Sequence, residues 1–537
     1  MELRSVLYLS CAIALFNLKG QVKDYQEEVH LSVNTTNILV GETLYFSAFI
    51  YSNTSKRLSS LSSILYLELV DESGSSVYKT KIGLREGRGA GQLYIDPAWR
   101  SNTYRIKAYT RWMKNYQSFF EQKILVLNPY MGITLNELIS GNPLKNSKNI
   151  KSDIDTYGQL KNVSMDLGHL ESSTLSIAVN KVERLYFPNE ITLENPAVNM
   201  STFDVLPEYR YGLVQGVVMK LLGNVDQLRV NMTIKGDFMQ VSTTKTDTYG
   251  RFWMSYNPEL SANESEVQIQ VEGDSIQQII ILDEFYENHD PLDTSVVSIL
   301  DSSSVFELVD RSVNSQIKIA YANLENDKST NIDVFTEPYA KVYRLSDYKR
   351  FATIRDTFIE LIPYVGVSKS ESNYKMNVRC EIPPGMESLD KPPLILLDGL
   401  KVSPESIFNQ SPNDIEKIEV IPKYYFVQDI VYKGIISIQT TSGKKKSDLS
   451  SFAKSRQFTD YQPYKASINT LKINSNLPLY DPNIYWEPIR RHNDGQLIID
   501  FSTPRLDGLY KISITGISES GSPINLAKYF QVSKTIK

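Results

Sequence analysis

The chain has 537 residues, of which 41% are hydrophobic and 22% are charged. These are ordinary values for a globular protein, so the composition excludes a collagen-like chain and gives no reason to expect disorder. The length predicts about three to five domains. The formal net charge of −5 provides no overall basic field, so we expect no nucleic-acid partner.

The N-terminus predicts a segment that directs export. Arg4 gives a short positive region, and an apolar run follows at 6–18. This run is shorter than the about 20 residues that span a bilayer, so residues 1–20 are typical of a signal peptide. Cys11 lies inside the run, and attachment of a lipid to its thiol is an alternative use of the segment.

The rest of the chain predicts neither a membrane span nor a disulfide. No later segment has 18 consecutive apolar residues, so we expect membrane association through partners rather than through a transmembrane helix. Cys380 is the single cysteine of the predicted mature chain, and one cysteine forms no internal disulfide. The cores must therefore be stable without covalent cross-links.

The first third of the chain alternates apolar and polar residues in short runs between turn signals, which favours an antiparallel β-sandwich. The sequences VGETLYFSAFIY, LYLELVDESGSSVYKTKIGLREGRGAGQLYI and NTYRIKAYTRWMKNY occur in this order. The region 21–128 resembles a macroglobulin-type domain, which implies an immunoglobulin-like sandwich. The Cys-Gly-Glu-Gln thioester sequence of α2-macroglobulin does not occur in the chain, so the resemblance does not imply protease trapping.

A second β-region is predicted after a linker. Residues 129–172 are polar and rich in Gly, Asn, Lys and Ser, which indicates a linker or an irregular segment. Residues 173–290 contain further strand patterns, at 175–179, 212–218, 228–234 and 246–252. This region resembles the regulatory, non-catalytic β-sandwich that is appended to some carboxypeptidases, and that resemblance implies no peptidase active site.

Residues 291–443 have a different pattern. Apolar spacing predicts a helix over 348–361, and Asp398-Gly399 predicts a two-residue hairpin turn. The run PPLILLDGLKVSPESIFNQSPNDIEKIEVIPKYYFVQDIVYKGIISIQTTSG resembles the plug domain of TonB-dependent outer-membrane receptors. The resemblance implies a small α+β domain.

A receptor plug is followed by a barrel of some twenty strands, each about 10 residues long. Here 94 residues follow Gly443, so we expect a plug-like domain without its own channel. Residues 444–537 carry strand signals and predict a small C-terminal β-domain. The predicted fold class is therefore mainly β, with tandem immunoglobulin-like sandwiches and one small α+β plug-like domain.

No motif predicts catalytic, cofactor-binding or metal-binding residues. The histidines have no zinc-site spacing; they are His30, His169, His289 and His492. The sequence Glu287-Asn288-His289-Asp290 precedes Pro291 and is interpreted as a surface loop. Gly87-Arg88-Gly89-Ala90-Gly91 lies between two strand patterns and is interpreted as a tight hairpin, because dinucleotide-binding glycines precede a helix.

Five further sequences carry a structural and a functional interpretation. We interpret the turns at Asp398-Gly399, Asp247 to Gly250 and Asp507-Gly508 as structural. The aromatic and basic mixture of Arg111, Trp112, Met113, Asn115 and Tyr116 predicts packing between domains, with a docking surface for a partner as the alternative. The lysines Lys444, Lys445 and Lys446 are interpreted as a solvated charge run.

The functional expectation is a non-enzymatic binding or scaffold protein of a bacterial cell envelope. We expect it to be exported to the periplasm or the outer membrane, and to associate with an outer-membrane β-barrel or its transport or secretion complex. Sandwich loops and exposed strand edges would carry the contacts. One alternative is a plug-like subunit that gates a separate channel in trans, and another is an enzyme whose site residues are dispersed.

Overall fold

A computed structural model gives the fold of the chain. The residues that it describes are 26–131, 139–140, 154–182, 185–186, 191–193, 205–235, 240–260, 266–272, 276–282, 285–286, 289–291, 302–325, 340–370, 373–380, 390–427, 430–441, 453–457, 461–464 and 482–534. The predicted signal peptide at 1–20, Cys11 and the lysine run at 444–446 lie outside these residues.

The described residues are mainly strands, as predicted. In chain order the strands are β1 Glu27–Val33, β2 Asn37–Leu39, β3 Thr43–Ser52, β4 Ile64–Val70, β5 Ser76–Gly83, β6 Arg88–Tyr94, β7 Asn102–Thr110, β8 Phe120–Leu127, β9 Ile139–Ser140, β10 Asp155–Gly158, β11 Asn162–Leu170, β12 Ser173–Lys181, β13 Leu185–Tyr186, β14 Ile191–Leu193, β15 Gly212–Lys220, β16 Arg229–Lys235, β17 Gln240–Lys245, β18 Arg251–Tyr256, β19 Glu266–Val271, β20 Ile276–Ile281, β21 Lys341–Arg344, β22 Val365–Ser370, β23 Asn373–Val378, β24 Leu394–Leu397, β25 Leu400–Lys401, β26 Ile415–Val427, β27 Ile430–Thr440, β28 Ala453–Gln457, β29 Tyr461–Gln462, β30 Asn483–His492, β31 Gly495–Ser502, β32 Gly508–Ser518 and β33 Pro523–Ser533. The helices are α1 Ser302–Glu325, α2 Ile354–Leu361 and α3 Pro404–Phe408.

The chain divides into two compact units, and both are built from separate pieces of sequence. The first unit comprises Met1–Arg210, Phe285–Ser329 and Gln462–Lys537. The second comprises Tyr211–Glu284 and Thr330–Tyr461. Each unit is described by itself below.

Sandwich A occupies residues 26–131 of the first unit. One sheet has the order β1-β3-β6, and the other contains the run β14-β8-β7-β4-β5. Alternate side chains of β4 point to opposite faces, so Leu65, Leu67 and Leu69 contribute to the core while Tyr66 and Glu68 lie on the opposite, outer face. The predicted immunoglobulin-like sandwich in this region is therefore present as two sheets over one core.

Sandwich B joins two distant parts of the first unit. Its larger sheet has the order β10-β33-β32-β12-β30, and β11 pairs with β31. Residues 154–182 and 482–534 thus form one domain. Its core contains Leu175 and Ile177 from the first part and Ile512 and Phe530 from the second.

This arrangement differs from the predicted boundaries in three places. The predicted linker at 129–172 contains β10 and β11. Residues 173–181 were predicted to begin the second β-region, but they form β12 and pair with strands of sandwich B. The strands of the predicted C-terminal β-domain at 444–537 complete sandwich B instead of forming a sandwich of their own. Local alternation shows which face of a strand is buried, but it does not show which distant strand covers that face.

Sandwich C forms one part of the second unit. Its two sheets have the orders β18-β15-β20 and β17-β16-β19-β28. Fully buried side chains from several strands build its core, including Val230, Phe252 and Ile269. Gly216 allows the ring of Phe252 to pack directly on the backbone of β15, because a Cβ at this position would lie 2.3 Å from that ring.

The other part of the second unit is a small α+β domain. Its sheet has the order β21-β26-β27-β24-β25 and packs with α2, α3 and the hairpin of β22 and β23. Helix α2 is shorter than the predicted helix over 348–361. It begins at Ile354 because the hydroxyl of Thr353 accepts a hydrogen bond from the Asp356 amide at 3.1 Å, which caps its first turn. Helix α1 of the first unit was not predicted.

The predicted hairpin at Asp398-Gly399 is confirmed. Both residues have positive φ, 49° and 88°, as a type I′ turn requires. The Asp398 carboxylate also accepts hydrogen bonds from the Thr440 amide, at 2.8 Å, and from the Thr440 hydroxyl, at 2.6 Å. The turn between β24 and β25 is thereby tied to the end of β27. At the predicted turn Asp507-Gly508, Gly508 has positive φ, 145°, but Asp507 does not, so this turn does not have the type I′ geometry of Asp398-Gly399.

We expect Asp398→Ala to destabilise the α+β domain by about 1–3 kcal/mol, because two buried donors of Thr440 lose a charged acceptor. Asp398→Asn keeps one side-chain oxygen and tolerates positive φ, so its cost should be smaller. Hydrogen exchange of the peptide that contains β27 measures the change. Asp390→Ala at an exposed position is the control; an equal effect of both alanine substitutions would contradict this role of Asp398.

None of the helices in the described parts of the chain has the length and apolar character that a membrane crossing needs.

Candidate functional site

Four exposed apolar side chains lie at one end of sandwich C. We call this set the apolar tip and define it as Met219, Leu221, Leu222 and Tyr249. Leu221, Leu222 and Tyr249 are 70%, 76% and 73% exposed. Scattered single apolar residues are normal on a protein surface, whereas a group at one place indicates an interaction site.

The topology of sandwich C brings the tip residues to the same end. Strand β15 runs antiparallel to β18, with Val217 opposite Arg251, and the start of β16 pairs with the end of β17. The β15–β16 loop and the β17–β18 turn are therefore neighbours. Two hydrogen bonds join them directly: the Gln227 amide donates to the Thr246 carbonyl at 2.9 Å, and the Leu228 amide donates to the Thr246 hydroxyl at 2.9 Å.

The turn that carries Tyr249 is held by Asp247. The Asp247 carboxylate accepts hydrogen bonds from the amides of Tyr249 and Arg251, both at 2.9 Å, and from Nε of Arg251 at 2.8 Å. Burial acts to raise the pKa of Asp247, but the hydrogen bonds from Arg251 and the two amides outweigh it and lower the pKa. Gly250 has a φ of 76°, and a Cβ there would lie 2.4 Å from the Val218 carbonyl oxygen. The structural interpretation of this turn is therefore confirmed.

The aromatic ring of the tip rests against a cation. The Arg251 guanidinium lies 5.0 Å from the centre of the Tyr249 ring and 5.5 Å from that of Trp253. Such contacts are favourable, and here they restrict the ring while leaving most of it exposed. The tip thus combines two leucines and a methionine with one aromatic ring that packs on a cation, a composition that suits contact with another protein.

Sequence patterns alone did not single out the leucines of the tip. The signal that could have found them is a pair of leucines that follows the end of a strand and precedes a glycine, at Leu221-Leu222-Gly223. Loop positions normally carry polar residues, so an adjacent aliphatic pair beside a turn residue is unusual.

A second group of polar residues lies buried on the outer face of sandwich A. The Glu68 carboxylate is fully buried and accepts hydrogen bonds from the hydroxyls of Tyr109 and Ser76, both at 2.6 Å. Nε2 of His289 lies 3.1 Å from the same carboxylate, and Nζ of Lys79 lies 3.9 Å away. Burial acts to raise the pKa of Glu68, but the hydrogen bonds from His289, Ser76 and Tyr109 outweigh it and lower the pKa.

These residue types resemble those of a nucleophilic triad, but their geometry is different. Both Ser76 and Glu68 contact the same ring nitrogen of His289, at 3.2 Å and 3.1 Å. In a triad the two contacts use different ring nitrogens. Nδ1 of His289 is buried and has no partner among the residues that the structure describes. The group therefore attaches His289 to sandwich A, and its geometry is not that of a nucleophilic triad.

The predicted surface loop at 287–290 is wrong for His289, whose side chain is 3% exposed. Asp290 also takes part in the attachment, since its carbonyl accepts a hydrogen bond from Arg105 at 2.6 Å. Glu287 and Asn288 lie outside the described residues. The His289 side chain contacts the buried Glu68 on strand β4, which is distant in sequence. A local sequence pattern does not predict such a contact.

The aromatic and basic sequence after β7 packs inside the first unit. Arg111, Trp112 and Met113 are buried. The hydroxyl of Tyr116 donates to the Glu27 carbonyl at 2.9 Å, and Nδ2 of Asn115 donates to the Val205 carbonyl at 2.9 Å. The sequence is therefore packed in the first unit, with Tyr116 bonded within sandwich A and Asn115 bonded to Val205. These contacts do not show the predicted packing between domains, and the burial of Arg111, Trp112 and Met113 does not fit an open docking surface.

The remaining histidines and glycines predicted from sequence have separate environments. His30 lies beside Phe120, and burial lowers the pKa of His30. His169 lies 3.7 Å from Asp494 on the surface, while Nε2 of His492 contacts two backbone carbonyls. Across the described ranges, no three His, Cys, Asp or Glu side chains are grouped so that they could hold a metal ion.

The glycine-rich sequence at 87–91 forms the turn into β6 and the start of that strand, as predicted. Gly91 packs against the core, since a Cβ there would lie 2.6 Å from the ring of Phe46. Cys380 is a free, half-buried thiol. Burial raises the pKa of Cys380, which reduces the thiolate fraction at neutral pH.

Comparison with known proteins gives only distant matches. No family model matches the sequence, and no curated protein matches it. Among solved structures, α2-macroglobulin from Salmonella reacted with methylamine is 7% identical, with a TM-score of 0.26; the match covers 95% of this chain and 40% of that protein. Trypsin-activated α2-macroglobulin from Escherichia coli is 7% identical, with a TM-score of 0.25, over 96% of this chain and 42% of that protein.

Dimeric latent PorU from Porphyromonas gingivalis is 10% identical, with a TM-score of 0.18, over 48% of this chain and 33% of that protein. The chain thus spans less than half the length of each of these three proteins. TM-scores of this size do not indicate a shared overall arrangement, and the function proposed below rests on the residues of this chain.

Proposed function

We propose that the chain is an exported, non-enzymatic binding or scaffold protein of a bacterial cell envelope. Its partner would be an outer-membrane β-barrel or the transport or secretion complex to which such a barrel belongs. The observation that carries the proposal is the apolar tip of sandwich C, where Leu221, Leu222 and Tyr249 are largely exposed at one end of the domain.

The tip has the properties of a binding surface that is formed in advance. Burial of a leucine side chain stabilises a complex by about 1.5–3 kcal/mol relative to its exposed state. The loop and the turn that carry the tip are joined through Thr246 and held by Asp247. Because these contacts already order the backbone, association would cost less conformational entropy.

The envelope location is supported by the sequence. Residues 1–20 are typical of a signal peptide. The sequence resemblances to a macroglobulin-type domain, a carboxypeptidase-regulatory-like sandwich and a barrel-less receptor plug also favour an envelope protein. In this proposal the chain reaches the membrane through its partner, and nucleic acid is not a ligand.

Affinity purification from detergent-solubilised outer membranes, followed by mass spectrometry, tests the proposal. We expect the tagged wild-type chain to retain a β-barrel protein in stoichiometric amount, and Leu221→Ser/Leu222→Ser to retain less than about a tenth of it, since 1.4 kcal/mol corresponds to a factor of ten.

The matched control is Ile498→Ser/Leu526→Ser, which also removes two exposed apolar side chains, but from sandwich B. The control should retain the partner at the wild-type level. Recovery of the barrel with all three proteins would refute the role of the tip, and recovery of no barrel protein by the wild type would refute the proposed function.

A further inference from the structure

Strand β28 is a seventh strand of sandwich C and comes from a distant part of the chain. Residues Ala453–Gln457 pair antiparallel with β19, so that Glu266 lies opposite Gln457 and Gln270 lies opposite Ala453. The strand lies at the end of the order β17-β16-β19-β28. The edge of β19 is therefore a position at which sandwich C accepts a strand that is not part of its own continuous sequence.

The side chains of β28 do not match the apolar residues that they face. Directly opposite residues of an antiparallel pair share one face of the sheet. Val267 and Ile269 point into the core, and the residues opposite them are Arg456 and Lys454. Lys454 is exposed and Arg456 is half-buried. Two cationic side chains thus occupy positions where an apolar residue would extend the core.

The apolar cluster of sandwich C is drawn from β15, β16, β18, β19 and β20 together with Leu228. The residues of β28 whose side chains the structure describes are not members of this cluster; they are Lys454, Arg456 and Gln457. The sequence Ala-Lys-Ser-Arg-Gln also contains no β-branched or aromatic residue, the types that are enriched in strands. Nη1 of Arg456 donates a hydrogen bond to the Leu282 carbonyl at 3.2 Å. The backbone ladder to β19 is the contact that runs along the whole of β28.

We propose that the edge of β19 is a strand-binding site for a partner protein, and that Ala453–Gln457 fills this site until the partner arrives. The ligand would be an extended segment with apolar residues at alternate positions. It would form the same backbone ladder as β28 and would place apolar side chains opposite Val267 and Ile269.

The exchange is favoured by burial. Each Å² of apolar surface that the incoming strand removes from water stabilises the complex by about 25 cal/mol, and opposite Val267 and Ile269 strand β28 places Arg456 and Lys454 instead of apolar side chains. The charged residues of β28 also disfavour unselective edge-to-edge pairing, because inward-pointing Lys or Arg on an edge strand opposes aggregation. A ligand therefore needs the correct alternation to replace β28, which gives the site selectivity.

The test compares a locked and a loosened form of the full-length chain, with Cys11 and Cys380 replaced by serine. Glu266→Cys/Gln457→Cys joins β28 to β19 by a disulfide at an opposite pair. Lys454→Gly/Arg456→Gly loosens β28, since glycine in a strand costs about 0.5–1 kcal/mol per residue. Ser368→Cys/Lys375→Cys places the same cross-link in the hairpin of β22 and β23 and serves as the control.

Fluorescence polarisation of a labelled peptide of about seven residues, alternating valine and threonine between terminal lysines, measures binding. We expect the loosened form to bind about tenfold more tightly than the wild type, because a larger fraction of its sites is open. The locked form should not bind until a reductant is added, and the control cross-link should leave binding unchanged. A peptide of the same composition with consecutive valines should bind at least about tenfold more weakly than the alternating one.

Equal binding to the locked and loosened forms would overturn the proposal, as would equal binding of the two peptides or no binding by the loosened form. The strand site and the apolar tip use different residues. Leu221→Ser/Leu222→Ser should therefore leave peptide binding intact, so that failure of one proposal is distinguishable from failure of the other.

Discussion

Replacement of Glu68 by alanine is expected to destabilise sandwich A by about 3–5 kcal/mol. The substitution removes a fully buried carboxylate that accepts hydrogen bonds from Tyr109 and Ser76 and contacts His289. Each of these buried groups loses a charged acceptor, and such losses cost about 1–3 kcal/mol each. Because His289 lies in the segment at 285–291, the attachment of this segment to sandwich A should weaken at the same time.

Hydrogen exchange with peptide resolution measures this effect, since a chain of several domains does not unfold in one two-state step. Peptides from β4 and β7 should exchange faster in Glu68→Ala, while peptides from sandwich C should not change. The control is Glu72→Ala, which removes an exposed carboxylate from the next turn. Unchanged exchange in β4 would show that Glu68 does not stabilise the sandwich.

The pH dependence of the same effect has a defined sign. The folded state lowers the pKa of Glu68 from its ordinary value of 4.5. The unfolded state therefore binds a proton first as the pH falls, and the contribution of the ionised carboxylate is present above pH 4.5 and is lost as the pH falls through the folded pKa. The difference in stability between the wild type and Glu68→Gln should become smaller as the pH falls below 4.5.

Replacement of Phe358 by alanine should destabilise the α+β domain by about 3–5 kcal/mol. The ring is fully buried in the core of this domain and contacts Phe408 edge to face, with 6.2 Å between ring centres. Loss of the ring leaves a cavity between α2 and the sheet, which the surrounding strands can fill only in part.

The neighbouring residue on the same helix provides the control. Ile359 is 46% exposed, so Ile359→Ala should change stability by less than about 0.5 kcal/mol. Hydrogen exchange of peptides from α2 and β26 distinguishes the two variants. Equal acceleration by both would mean that the helix, and not the buried ring, determines the stability of this core.

The sequence predicted individual strands and turns well where the signal is local. The strand pattern at 64–70 identified β4 as a strand and Asp398-Gly399 identified a type I′ turn, because both patterns depend on neighbouring residues only. All seven residues of β4 are buried, so local alternation did not show that its second face is covered as well. The start of α2 was placed too early because apolar spacing does not show where a helix begins. The cap at Thr353 fixes that position.

Long-range pairing and the site could not be predicted in the same way. Strand β12 carries a clear apolar pattern, but its partners β30 and β32 lie some three hundred residues away. His289 is buried only because Glu68 lies beneath it. The exposure of Leu221 and Leu222 likewise depends on the position of the β15–β16 loop in folded sandwich C. Composition does not determine that position.

The split construction of sandwich B has a consequence for the order of events during synthesis. Strands β11 and β12 leave the ribosome early, but β30 to β33 are made last, after the whole of the second unit. Until then Leu175 and Ile177 lack the core partners that β31 to β33 contribute, among them Ile512 and Phe530. Domains generally fold in turn as the chain emerges, so sandwich A and the second unit can fold first. Sandwich B forms only once these last strands have been made, because β10, β11 and β12 pair with them, and a nascent or truncated product would present these early strands unpaired to chaperones and proteases.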